Sequence, residues 1–245
     1  MNSKILEICA FSLEASIKAE KAGANRIALC AAPGEGGTTP SFGLMKKVCK
    51  NVSIPVVAFI RPRGGDFYYS KKEFNIMKED IKMAKKAGCS GVTLGILNKD
   101  NTIDIERTAQ LVELAQPMTV TFGRAMDLSP DLTQAITDII ETGCSRVLTS
   151  GGRINVENSI PLINNLIKIA ENKITVMPGF NTDDHNLQLL VEHLNTNEFH
   201  ASAKIAFTED QLSILGFGVS VCYDQASIKN MKSILNNHKR ENLAF

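Results

Sequence analysis

The 245-residue sequence has no tryptophan, no Cys-x-x-Cys pair, no long apolar run and no excess of charge of either sign. The missing tryptophan and the 6% aromatic content exclude nothing about function. The other absences do. The first apolar stretch, Ile5 to Phe11, is short and interrupted by Glu7, so neither a signal peptide nor a membrane span is expected. A net charge of +1 with no basic stripe argues against a nucleic-acid or acidic-membrane footprint. There is no zinc motif, phosphate-binding loop, nucleophile elbow or dinucleotide fingerprint, so no nucleotide cofactor is expected. The six cysteines, Cys9, Cys30, Cys49, Cys89, Cys144 and Cys222, are scattered, which suits reduced thiols in a cytoplasmic protein.

What is present is a regular alternation. Short β-type runs are expected at Ile5–Ala10, Arg26–Cys30, Val56–Ile60, Gly91–Gly95, Thr119–Phe122, Arg146–Thr149, Ile174–Met177 and Glu198–Ala203. Segments of helical period separate them. The clearest is Lys71–Ala87, with Phe74, Met77, Ile81 and Ala84 on one stripe. Eight strands alternating with helices predict a parallel sheet, and closure gives an α/β fold, a single-domain TIM (β/α)8 barrel spanning residues 1–245. A weak internal repeat agrees: KAGANRIAL from Lys21, KAGCSGVTL from Lys86 and ETGCSRVLT from Glu141 each place a glycine (Gly23, Gly88, Gly143) where a left-handed helix end would precede a strand.

In such a barrel the active site forms from the loops at the C-terminal ends of the strands. The unusual residues of this chain fall there: AAPGEGGTTPSFG at Ala31–Gly43, IRPRGGDFYYS at Ile60–Ser70, GRAMD at Gly123–Asp127 and TSGG at Thr149–Gly152. The second of these sets two arginines, a Gly-Gly pair and an aspartate behind an apolar strand, a mixture that suits a loop holding an anionic or carbonyl ligand better than a core. The backbone of TSGG, with Ser150, can offer N–H groups to an anion.

Side-chain alternation sorts the strands into faces. It turns Glu7 and Cys9 inward on the first strand, Arg26, Ala28 and Cys30 on the second, Phe59 and Arg61 on the third, Thr119 and Thr121 on the fifth, and His200 and Ser202 on the eighth. Glu7, Arg61 and His200 are therefore expected to converge as acid–base and anion-stabilising groups, with a buried Glu7–Arg61 ion pair as the plainer alternative. Arg63, Asp66, Arg124, Asp127, Ser150 and Ser202 complete the expected ligand-binding set. Cys9 and Cys30 occupy matching positions on neighbouring strands about 5 Å apart. Two thiolates there suit Cu(I), and two cysteines equally fill a barrel core as small apolar residues. His185, His193 and His238 have no ligand spacing and are expected on the solvated surface.

Taken together, LEIC at Leu6–Cys9, EGGTTPSFG at Glu35–Gly43, IRPRGGDFYYS at Ile60–Ser70, the TF-RA-D residues of Thr121–Asp127, RVLTSGG at Arg146–Gly152 and EFHASA at Glu198–Ala203 resemble the copper homeostasis protein CutC family. The resemblance implies a TIM-barrel-like fold, a cytoplasmic homodimer or homotetramer, and a role in copper handling, with Cu(I) on a cysteine pair matching Cys9 and Cys30. It leaves a copper ion or a small-molecule ligand as the partner. The sequence departs from the family pattern at Ala28, where a glutamate is usual, and at Gly123, where a histidine is usual. It departs again at Phe180 and Asn181, where glycines are common, and at Lys204, where an arginine is usual. The second expectation is accordingly an enzyme, or a decayed one, acting on a small anionic or carbonyl/polyol metabolite.

Overall fold

The computed structural model describes residues 4–202 and 224–241. Its eight strands are β1 (Ile5–Ala10), β2 (Arg26–Leu29), β3 (Val56–Phe59), β4 (Gly91–Leu94), β5 (Thr119–Phe122), β6 (Arg146–Thr149), β7 (Thr175–Pro178) and β8 (Glu198–Ala201). Each agrees with the expected strand to within two residues. All the pairings are parallel, in the order β7-β6-β5-β4-β3-β2-β1-β8. The expected eighth strand extended to Ala203, which lies outside the described residues, as do Lys204 and Cys222.

The helices α1 (Leu13–Lys21), α2 (Phe42–Asn51), α3 (Lys71–Ala87), α4 (Ile105–Ala115), α5 (Leu132–Glu141), α6 (Ile160–Ala170), α7 (Leu187–His193) and α8 (Gln225–Glu241) follow the strands in turn. Their ends are set by local chemistry. Ser12, Ser41, Ser70, Asp104 and Asp131 accept backbone N–H groups at the first turns of α1 to α5, and Ser70 with Glu73 makes a reciprocal capping box. Gly23, Gly88 and Gly143 all take positive φ, of 104°, 91° and 80°, so the three repeated helix ends behave as expected. None of the helices among the described residues is long and apolar enough to cross a membrane.

The main apolar layer lies between sheet and helices and includes Leu6, Ile8, Ile27 and Leu29 of the strands and Phe74, Met77, Ile81 and Ala84 of α3. Inside the ring of strands, Cys9, Ala28, Cys30, Val57, Leu148 and Met177 are buried together with charged side chains. This double use of each strand is why Glu7 is buried between the fully apolar Leu6 and Ile8.

Closure is uneven. β1 pairs with β8 through four Cα partners. β7 meets β8 through a single bridge, Gly179 to His200, backed by Thr196 Oγ1 donating to the Val176 carbonyl at 2.7 Å. A Cβ at position 179 would lie 2.6 Å from Leu148 Cδ1 and 2.8 Å from His200 Cβ, so this seam closes only around glycine.

Candidate functional site

A cavity of about 690 Å³ opens at the C-terminal ends of the strands, a volume typical of small-molecule sites. Its wall is partly the Ile60–Ser70 loop. Arg61 lies beyond the end of β3, and its main-chain N–H donates to Thr39 Oγ1 at 3.0 Å. Its guanidinium donates to the carbonyls of Glu35, Gly37 (3.0 Å) and Gly65 (2.7 Å) and lies over the Phe67 ring. The expected convergence of Arg61 with Glu7 is therefore corrected. Arg61 binds loop carbonyls at the rim, and Arg26 takes its place on Glu7. Arg61 Nε and the Tyr69 hydroxyl are buried, line this wall, and have no hydrogen-bond partner among the described residues.

Arg63 uses all five of its donors on its own surroundings. They go to Glu73 (2.5 Å), to Asp66 Oδ1 (2.9 Å), and to the carbonyls of Gly64, Asp66 and Tyr68. Arg63 and Asp66 thus fasten the loop to the start of α3. The acid of that clamp, Glu73, is held at a pKa of about 2 by the Ser70 backbone N–H, then by Arg63 and the Ser70 hydroxyl.

The opposite wall has a similar internal economy. Asp127 accepts from Arg124 Nε (2.9 Å), Thr149 Oγ1 (2.5 Å), Ser150 Oγ (2.9 Å) and the backbone N–H groups of Ser150 and Gly152. The anion that TSGG was expected to bind is thus supplied by the chain itself, as the Asp127 carboxylate. Ser150 is fully buried behind it and also accepts from Arg124 (3.2 Å). Arg124 keeps one face towards the cavity, and there the Phe180 ring stacks on it at 3.6 Å. Phe180 and Asn181 hold φ of +92° and +52°, the region that glycine adopts freely. Gly123 lines the cavity with no side chain; a Cβ there would crowd Thr93 Cγ2 at 3.2 Å.

The floor carries the ionisable groups. Glu7 Oε1 lies 2.7 Å from His200 Nδ1, and its Oε2 accepts from Arg26 Nε at 2.5 Å. Arg26 also reaches Glu198 at 2.5 Å, and Glu198 accepts from Arg146 at 2.6 Å. Arg146 in turn donates to Thr121 Oγ1 at 3.1 Å. Two acids and two arginines balance one another in a buried layer, the arrangement that offsets desolvation of each charge. Burial alone would raise the Glu7 pKa, but His200 and Arg26 outweigh it and hold Glu7 at about 2. Burial would lower that of His200, but its hydrogen bonds to Cys9 and Glu7, with the charge they bring, raise it to about 9. Carboxylate, imidazole and sulfur thus form a chain, Glu7–His200–Cys9, of which His200 and Cys9 line the cavity and Glu7 is buried behind them. Such a chain can orient an imidazole and pass a proton to or from a bound molecule.

Cys9 and Cys30 meet with their sulfurs 3.3 Å apart and are not bonded as a disulfide. They do not pair directly: the Cα partner of Cys9 is Ala28, and the strand tilt brings Cys30 across. Cys9 reaches the cavity and Cys30 is fully buried. The donors suit a soft ion. With metal–thiolate bonds of about 2.3 Å, a linear ion needs sulfurs roughly 4.6 Å apart, so this pair would have to part to hold one. Among the described residues no set of three His, Cys, Asp or Glu side chains is already gathered around one point.

Ser202 lines the cavity beside His200. His185, expected on the surface, is exposed and stands at the cavity mouth, and His193 is exposed on α7. The residues that sequence reasoning missed are Glu198 and Arg146. Only their odd charge inside otherwise apolar strands could have pointed to them.

A (β/α)8 barrel with a small-molecule-sized cavity at its C-terminal face, an acid–base pair and a thiol pair on its floor, is the class of protein that this geometry defines. Residues 4–205 match the CutC family, and the chain belongs to it. The chain is 42% identical to the mouse copper homeostasis protein cutC homolog over 231 residues, covering 93% of this chain and 85% of that protein. The human homolog is 44% identical over 203 residues, with 83% and 74% covered. The crystal structure of a putative copper homeostasis protein CutC from Streptococcus agalactiae superposes with a TM-score of 0.78 at 32% identity, over 81% of this chain and 98% of that one. Phosphoribosyl anthranilate isomerase from Thermotoga maritima, at 11% identity and a TM-score of 0.59 over 96% of this chain and 99% of that one, shares the fold alone.

Proposed function

We propose that this protein binds Cu(I) through the Cys9 and Cys30 thiolates and serves copper homeostasis in the cytoplasm as a homodimer or homotetramer. The observation that carries the reading is the 3.3 Å contact of two reduced sulfurs at the floor of an open cavity. Thiolates are the ligands that select Cu(I) over harder ions. The names borne by the mouse and human relatives point the same way. The two sulfurs, now 3.3 Å apart, separate as the ion enters. Anaerobic titration with Cu(I) against a competing chelator should give about one equivalent per chain, and a Cys9→Ser, Cys30→Ser double variant should give none. An unchanged stoichiometry in the double variant removes the pair as ligands.

A second reading has its own observation, the Glu7–His200 pair at the base of a cavity of about 690 Å³. On this reading the protein is an enzyme for a small anionic or carbonyl/polyol metabolite, with Glu7 and His200 moving the proton and Arg61 and Arg124 at the rim. A metabolite present at about 100 times its dissociation constant adds roughly 2.7 kcal/mol to stability, a shift a thermal-melt screen detects. A metabolite shift that survives in the Cys9→Ser, Cys30→Ser variant and vanishes in His200→Gln favours the enzyme.

A further inference from the structure

Neither reading uses a second sulfur pair. Cys49 lies in the last turn of α2, and Cys89 lies between α3 and β4, so both sit at the N-terminal ends of the strands, away from the cavity. Their sulfurs are 3.7 Å apart. Cys89 is buried at 6% exposure, whereas Cys49 is only partly buried. Exposed Lys46 and Lys50 on α2 and Lys86 at the end of α3 add positive charge to this end of the barrel, while the Lys85 ammonium is turned to the carbonyls of Leu114 and Gln116. Lys46 and Lys86 both stand over the Phe42 ring, at 5.9 and 6.0 Å, which gathers their charge over one patch.

We propose that Cys49 and Cys89 form a thiol–disulfide exchange site for anionic low-molecular-weight disulfides of the glutathione type. An accessible attacking thiol beside a buried resolving one is the arrangement that redox-responsive pairs use. The Cys49 thiolate attacks one sulfur of the reagent, the reagent's S–S bond breaks, and one thiolate leaves. Cys89 then gives up its proton and attacks the Cys49 sulfur of the mixed disulfide, which expels the second thiolate. The reagent is reduced to two thiols and the protein dithiol is oxidised to one disulfide. The sulfurs close from 3.7 Å to the ordinary bond length of about 2.05 Å.

The chemistry of the two thiols fits their order of action. The hydrogen bond with Cys89 lowers the Cys49 pKa, while that bond and burial raise the Cys89 pKa. Cys144 makes the contrast: it is buried, and burial pushes its thiol up to about 11. The positive charge of Lys46, Lys50 and Lys86 on this face favours a reagent carrying carboxylates over a neutral one.

The test is incubation of the full chain with glutathione disulfide, followed by proteolytic peptide mapping without reduction. The expected product joins the Cys49 and Cys89 peptides. Cys89→Ala should stop at a glutathione adduct on Cys49, and Cys49→Ser should leave Cys89 unmodified. If Cys89→Ala folds poorly, Cys89→Ser provides the same trap. Repeating the mapping in the Cys9→Ser, Cys30→Ser background separates this outcome from that of copper binding. A Cys49 that stays unmodified in both Cys89 variants, or that links to any cysteine other than Cys89, overturns the proposal.

Discussion

Glu7 and His200 are Cα partners across the β1–β8 junction, and their side chains meet as well, Oε1 to Nδ1 at 2.7 Å. The same carboxylate holds Arg26 at 2.5 Å through its other oxygen. One buried acid is therefore shared by two cationic partners. Replacing it as Glu7→Gln leaves Arg26 with Glu198 alone and His200 with a neutral neighbour. Breaking a buried pair by removing one partner costs about 3–5 kcal/mol, so urea unfolding should show a loss of that size. A loss below about 1 kcal/mol would mean the pair is not what orders the floor.

The same pair sets a pH window. The folded His200 pKa is raised to about 9, so its contribution is complete below the unfolded value near 6.5 and is lost as pH climbs through 9. The folded Glu7 pKa is depressed to about 2, so its contribution is complete above about 4.5 and is lost as pH falls towards 2. Maximum stability should lie between about pH 5 and 6.5. Chemical denaturation across pH should show this maximum, and the alkaline decline should disappear in His200→Gln.

Much of this barrel is legible in the sequence, because alternation and helical period are local signals. Glycine helix ends and the inward faces of Glu7, Cys9 and His200 follow from residues a few positions apart. Which inward residues meet depends instead on strand register and tilt, which alternation does not carry. That is why Arg26 rather than Arg61 reaches Glu7, and why Glu198 and Arg146 went unnoticed 172 and 52 residues from their partners Arg26 and Glu198. The TSGG turn is expected to offer N–H groups to a bound anion, and in the structure those of Ser150 and Gly152 face a carboxylate of the chain itself. Its occupant, Asp127, lay 23 residues before Ser150, too far for a local pattern to suggest.

Asp127 offers a direct check of that turn. Asp127→Asn removes the charge from an acceptor of five groups and replaces one oxygen with a donor facing N–H groups. Hydrogen bonds to a charged group are worth about 1.5–3 kcal/mol each, and their losses are not additive, so a total near 3 kcal/mol is expected in urea unfolding. Faster proteolysis at residues 149–152 should accompany it. Unchanged proteolysis there would show that the turn holds its shape without the carboxylate.

Phe180 separates backbone strain from aromatic stacking. Its φ of +92° is costly for any residue with a Cβ and free for glycine, while its ring lies 3.6 Å from the Arg124 guanidinium. Phe180→Ala and Phe180→Gly lose the stack equally and differ only in the backbone. Phe180→Gly should be the more stable of the two by about 1 kcal/mol. Equal melting curves would mean that the loop relaxes to negative φ once the ring is gone.

The seam at Gly179 gives the site a control that no hydrogen bond supplies. A methyl group at 179 would press on His200 Cβ and Leu148 Cδ1 together. The Leu148 methyl can rotate aside, but the contact with His200 is at its Cβ, so relief there has to move the strand that carries the imidazole. His200 thus owes its place partly to an empty volume: one added carbon on the neighbouring strand would press on the backbone that carries it while leaving every ionisable group in the protein intact.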